Sequence, residues 1–213
     1  MPRPRSLTES QIAAAALTVI DRDGLAALTM RAVAKELGMG TMSLYRYVDD
    51  REQLEGLIVE RVLGAVDTTP PVGGSWRERL VTMVERVRDA VAAHPEVVPL
   101  TLTHRQSSPS NLRWAETVLG ILTEAGIDGE RRVIALRGLI AYVVGAIQLE
   151  HLGPLSGAGT RRIAALPAGE FPLMAETGRL AATVPTDEEF RAGLALLLNG
   201  LEHEAGAGGA RLE

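Results

Sequence analysis

No cysteine occurs in the 213 residues, which removes disulfides, thiolate metal sites and cysteine nucleophiles. Aromatic residues are scarce at 3%, so the core has to be built mainly from Leu, Ala, Val and Ile. That scarcity also thins the strand-favouring residues, while Ala, Leu, Glu and Arg are plentiful, and the chain tilts towards helix. Lys35 is the only lysine against 21 arginines, a bias of coding rather than chemistry. No uncharged run reaches the ~18 residues of a transmembrane span. Arg3 and Arg5 are followed by no apolar run of secretory type. Neither a membrane span nor a signal peptide is expected, and the location read from this is cytoplasmic. Gly-x-Ser-x-Gly, Walker-type and dinucleotide-binding glycine patterns are missing, as is a metal pair at i, i+4. Ser107 and Ser108 near His104 fall in a loop, so no enzyme is expected.

The net charge of −5 hides a local difference. Residues 1–48 carry six basic side chains (Arg3, Arg5, Arg22, Arg31, Lys35, Arg46) against four acidic ones. A mildly basic head on an acidic remainder suits a chain of which only a small part meets phosphate, although so small an excess also arises by chance.

Pro2 and Pro4 make residues 1–7 an arm. Thr8 and Gln11 form a capping box that opens a first helix, with Ile12, Ala15, Ala16, Val19 and Ile20 as its apolar stripe and Gly24 as its stop. Thr29 caps a short second helix, Met30 to Leu37, broken by Gly38. A third runs from Thr41 to Val48, with Leu44 and Val48 facing in. A fourth extends from Arg51 to Val66. Residues 67–75, rich in Pro and Gly, punctuate the chain most strongly. Beyond them, helices are expected over 76–93, 96–104, 110–125, 128–152, 171–182 and 187–204, with a turn of helix near 161–166. The sum is nine or ten helices without a strand, an all-α chain. The division is an arm and head at 1–50, a connecting helix at 51–66, a body at 67–205 and a flexible tail at 206–213, ending in Leu212-Glu213, which has the look of a cloning remnant.

The second and third helices are too short to stand alone, but a short helix projecting from a rigid corner fits the major groove of double-stranded DNA. Thr41 and Ser43 suit base edges or phosphates, Met42 a thymine methyl, and Tyr45 and Tyr47 backbone phosphates. Thr29 opens the second helix where its amides face a phosphate, and Arg31 adds charge. The plainer alternative is a pair of capped structural helices with Tyr45 and Tyr47 as core aromatics. Two of only three tyrosines lying this close together, beside small polar residues, favour the groove.

The stretch Leu28 to Leu54 resembles the head of the TetR family of bacterial repressors. Gly38 ends the second helix, Ser43-Leu44-Tyr45 and Tyr47-Val48 fill the third, and Arg51 with Leu54 open the fourth. The resemblance implies an N-terminal helix-turn-helix DNA-binding domain followed by a C-terminal helical bundle for ligand binding and dimerisation. It places Thr41, Met42, Ser43, Tyr45 and Tyr47 on recognition-helix contacts, Arg31 on a second-helix contact and Arg51 on a phosphate-holding position. Tyr47 stands where tetracycline repressors have His, so their operator sequence does not transfer. Arg3 and Arg5 either reach the minor groove or solvate the terminus.

The body resembles that of tetracycline repressors through Leu139 to Gly145 with Glu150, and through Glu188 to Leu201. The two longest apolar helices, 128–152 and 187–204, are assigned to a four-helix seam of a homodimer, against the alternative that both are centre helices of one subunit. Two-fold symmetry then implies a palindromic operator. His104, Arg105, Trp114, Gln148 and His151, with Phe171 and Met174 as walls, are the expected contacts of an unknown small-molecule inducer. His104 and His151 invite a metal, but two histidines without a third ligand assign none, and no cofactor is expected. The implied function is a ligand-responsive repressor, with activation of transcription left open.

Overall fold

The computed structural model describes residues 7–209, with side chains through residue 202. The roles expected of Arg3 and Arg5 fall outside the described residues. Within them lie eleven α-helices and no strand, which sort into two compact units: Met1–Pro71 with Glu85–Thr117, and Val72–Val84 with Val118–Glu213.

In the first unit, α1 (Glu9–Asp23) starts at the Thr8–Gln11 capping box and ends at Gly24, whose N–H donates to the Ile20 carbonyl. A 3-10 turn, Leu25–Ala27, leads to Thr29, the N-cap of α2 (Met30–Glu36), whose hydroxyl accepts from the Ala32 amide. The end of α2 is a Schellman arrangement: the Gly38 amide donates to Lys35 and the Met39 amide to Ala34. Gly38 sits there at φ +68°, a left-handed backbone that glycine adopts without steric cost. The regular part of the third helix, α3 (Thr41–Leu44), is shorter than the sequence pattern indicates. From Tyr45 to Val48 the chain continues in turns, with Tyr47 donating to Leu44 by a tighter i, i+3 bond. Leu44 and Val48 nevertheless both point inward and are fully buried.

Asp50 caps α4 (Arg51–Leu63), whose Leu54, Ile58 and Val62 face the Ile12, Ala16 and Val19 side of α1 in a buried core. Burying an aliphatic side chain contributes roughly 1.5–3 kcal/mol, so this interface is what lets the short α2 and α3 persist. The C-terminal part of α5 (Trp76–Ala92), α6 (Val98–His104) and the start of α7 (Pro109–Glu124) belong to the same unit, and α6 packs on α4. The Pro/Gly-rich 67–75 segment is tied down at its start: Arg86 donates to the Asp67 and Thr69 carbonyls (3.0 and 2.7 Å), and Thr117 to that of Thr68 (2.9 Å). By packing, residues 85–117 group with the head.

In the second unit, α8 (Gly129–Leu152) lays Leu139, Val143 and Ile147 against Phe190, Leu194 and Leu198 of α11 (Thr186–Gly209). That last helix runs past Glu204 into the Gly/Ala-rich stretch expected to be tail. Between them α9 (Ala158–Ala164) and α10 (Pro172–Ala181) form a tight pair. A Cβ on Gly178 would lie 2.6 Å from the Ala164 nitrogen, so only glycine permits this approach.

Candidate nucleic-acid interface

The first unit presents one coherent exposed surface around α3. Leu44 and Val48 anchor the turn, which leaves Met42 80% exposed and Tyr45 44% exposed. Thr41, Ser43 and Tyr47 are half-buried. Tyr47 thus stands between the two readings of the tyrosine pair, part core and part surface. Thr29 and Arg31 are exposed at the start of α2, the Thr29 hydroxyl already engaged in its cap. Arg46 was missing from the expected contacts, yet it is exposed between the two tyrosines. Its position among polar and aromatic neighbours was the available signal. Arg31, Lys35 and Arg46 show no ion-pair partner among the described residues, whereas Arg22 is held by Asp23 and Glu36 at 2.9 Å each. Small hydroxyls, a thioether, phenols and unengaged cations on one face are the donors and apolar contacts that phosphates and base edges take.

Arg51, at the first position of α4, is differently placed. Its Nε donates to Glu55 Oε1 at 2.6 Å, one turn on, and Glu55 Oε2 lies 2.9 Å from His104 Nε2 at the end of α6. A carboxylate accepts only, so the ring nitrogen is the donor. A second carboxylate of α4, Glu60, accepts from the Ser108 and Ser110 hydroxyls at 2.5 and 2.6 Å and from the Ser110 amide at 3.3 Å. Burial pushes the Glu60 carboxyl up, but those hydrogen bonds and nearby Arg113 outweigh it and hold it below the usual carboxylate range. Asp21 of α1 meets His94 Nδ1 at 2.9 Å. Near that pair a groove of about 650 Å³ is lined by Leu17, Thr18, Asp21, Arg61, Val62 and His94, among others.

None of the residues expected around an inducer lines that groove or the cavity between α8 and α11. In the first unit His104 is bonded to Glu55, Arg105 Nη1 donates to the Leu102 carbonyl at 2.5 Å, and Trp114 is buried in α7. In the second, Gln148 is half-buried, His151 is exposed, and Phe171 and Met174 lie exposed at and within α10. A cavity of about 270 Å³ does open between α8 and α11, lined by Tyr142, Gly145, Ala146, Leu149, Glu150 and Phe190 among others. Tyr142 shapes it by donating to the Phe190 carbonyl at 2.6 Å, with ring centroids 5.3 Å apart. Sequence reasoning missed this wall because only the packing of two distant helices creates it. Among the described residues no group of three His, Asp or Glu is placed to hold a metal. The helix α8 is long and apolar enough to cross a membrane by length and composition, and its most apolar window is only 22% buried within the chain.

Residues 12–54 match the family described as bacterial regulatory proteins, tetR family, and residues 69–205 match the tetracyclin repressor-like C-terminal domain. The HTH-type transcriptional repressor DrrR1 of Streptomyces coeruleorubidus is 32% identical over 215 residues, covering 94% of this chain and 79% of that protein. The class A tetracycline repressor from transposon 1721 of Escherichia coli is 27% identical, covering 92% of this chain and 90% of the repressor. Among solved structures, ActR of Streptomyces coelicolor in complex with actinorhodin superposes with a TM-score of 0.81 at 27% identity, covering 95% of this chain and 99% of that one.

Proposed function

This chain belongs to the tetR family of bacterial regulatory proteins, and from that premise we propose that it is a cytoplasmic repressor, binding a palindromic operator as a homodimer and leaving it when a small-molecule inducer binds. It is a DNA-binding regulator of transcription and not an enzyme. The observation that carries the reading is the α3 surface, where buried Leu44 and Val48 hold Met42, Tyr45 and Arg46 outward on a rigid corner. Thr41, Met42, Ser43 and Tyr45 then meet base edges and phosphates, with Tyr47 at the margin. Thr29, Arg31, Arg46 and Arg51 take the phosphate backbone.

Dimerisation through α8 and α11 is supported by the apolar residues they leave uncovered, Val133, Ile134, Leu149, Leu152 and Leu196. Large apolar side chains left exposed on long helices in this way fit an interface between copies of the chain. An inducer is supported by the actinorhodin complex of ActR, with His104, Arg105, Trp114, Gln148, His151, Phe171 and Met174 as its proposed contacts. Release follows if the ligand favours an arrangement that holds the two heads at a spacing unsuited to the half-sites.

The test is selection of duplexes by the full-length protein from a randomised library, followed by fluorescence anisotropy at two salt concentrations. An inverted repeat bound with strong salt dependence is expected. Selection of no sequence, or of an unrepeated one, counts against the operator reading.

A further inference from the structure

Arg51, Glu55 and His104 form one chain of charge-assisted contacts, Nε to Oε1 at 2.6 Å and Nε2 to Oε2 at 2.9 Å. Its burial is graded. The Arg51 side chain is 54% exposed, whereas Glu55 and His104 are 16% and 14% exposed. The two carboxylate oxygens are thus divided, one to the cation at the surface and one to an imidazole further in. We propose that Glu55 and His104 are positioning residues for the DNA contact of Arg51, so that what happens at His104 is felt at the phosphate backbone. The inference rests on the phosphate role given to Arg51 above.

The physical argument is one of pre-organisation. An arginine on the first turn of a helix has several rotatable bonds, and fixing it on a phosphate costs side-chain entropy at the moment of binding. Gripping Nε with Glu55 meets that cost beforehand. It uses the one guanidinium donor that an end-on phosphate contact does not need, and leaves the two terminal Nη donors for a bidentate approach. A glutamate gripping an arginine is itself free to swing unless its other oxygen is held, and His104 supplies that hold from a different helix. Second partners of this kind are what orient primary contacts elsewhere in proteins. Because His104 closes α6 while Arg51 opens α4, any group that draws the imidazole away from Glu55 loosens Arg51 without touching DNA.

The experiment is a double-mutant cycle on the full-length protein, with a duplex it selects from a randomised library as the probe. Arg51→Ala should weaken binding and lower the slope of log affinity against log salt by about 1. His104→Ala should weaken binding about three- to tenfold, in the range of coupled neighbours, and lower the slope likewise. In the Arg51→Ala background it should do neither. His104→Gln should restore affinity, because its amide nitrogen reaches where Nε2 does. Glu55→Ala, which breaks the chain in the middle, should behave as His104→Ala and serves if that variant does not fold. An equal loss from His104→Ala with and without Arg51, or no loss at all, overturns the positioning role and leaves the Arg51 contact intact. If Arg51→Ala itself binds as the parent does, the phosphate role falls first and the inference with it.

Discussion

Tyr45 lies one residue beyond a fully buried leucine and is itself nearly half exposed, so its removal takes a phenol from the surface and little from the core. Tyr45→Ala should weaken operator binding by about 1 kcal/mol, the net worth of a hydrogen bond. The melting temperature should hardly move; anisotropy and a circular-dichroism melt measure the two. Affinity equal to that of the parent would count heavily against the α3 surface. Glu60 makes a different prediction, of pH dependence. Its carboxyl is held below 4.5, so its contribution to stability is complete above about pH 4.5 and is lost as pH falls from there through the lower folded value. Glu60→Gln should lower stability at pH 7 and flatten the fall below pH 4.5 in urea titrations. A parent and variant whose acid limbs run parallel would show that the serine cradle does not set the titration.

At the scale of elements, the head depends on how its short helices stop and start. Thr8 caps α1 with both halves of its box made, the Gln11 amide on Thr8 Oγ1 and the Thr8 amide on Gln11 Oε1. Thr8→Ala should therefore cost about 1 kcal/mol in chemical denaturation. Gly38 offers open space for a methyl group, so the objection to alanine is conformational only. Gly38→Ala should destabilise by about 1–2 kcal/mol, the cost of an L-residue in the left-handed region. It should also reduce operator affinity, because this turn aims α3. A variant with full stability and full affinity would mean that the turn relaxes without consequence. Propensity and capping locate these boundaries well, but they do not foresee that α3 keeps only Thr41–Leu44 in regular form. Tertiary anchoring of Leu44 and Val48 holds the remaining turns without a full set of i, i+4 bonds.

For the whole molecule, assembly is proposed to run through α8 and α11. Leu149 is 64% and Leu196 74% exposed on the single chain. The double variant Leu149→Glu/Leu196→Glu should run as a monomer in light scattering and lose operator affinity by orders of magnitude, because a lone head engages one half-site. If the doubly charged variant remained dimeric, the seam would have to lie elsewhere. The mild basicity of the head fits this dependence: sequence-independent attraction is modest, and paired placement of two heads has to supply the rest.

Local sequence settles the helical class and the start and stop of α1 and α2, and it marks the run from Thr41 to Tyr47 that is proposed as the reading surface. Each of these is written locally, in caps, in apolar spacing and in the Ser43-Leu44-Tyr45 motif. Tertiary structure alone decided which distant groups meet: His104 on Glu55, Ser108 and Ser110 on Glu60, Tyr142 on the Phe190 carbonyl. These pairs are separated by 48–50 positions, beyond the reach of any helical period, and depend on how whole helices pack. For that reason His104 reads in sequence as a lone polar group and an inducer contact. In the fold it is bonded to the same glutamate that holds Arg51.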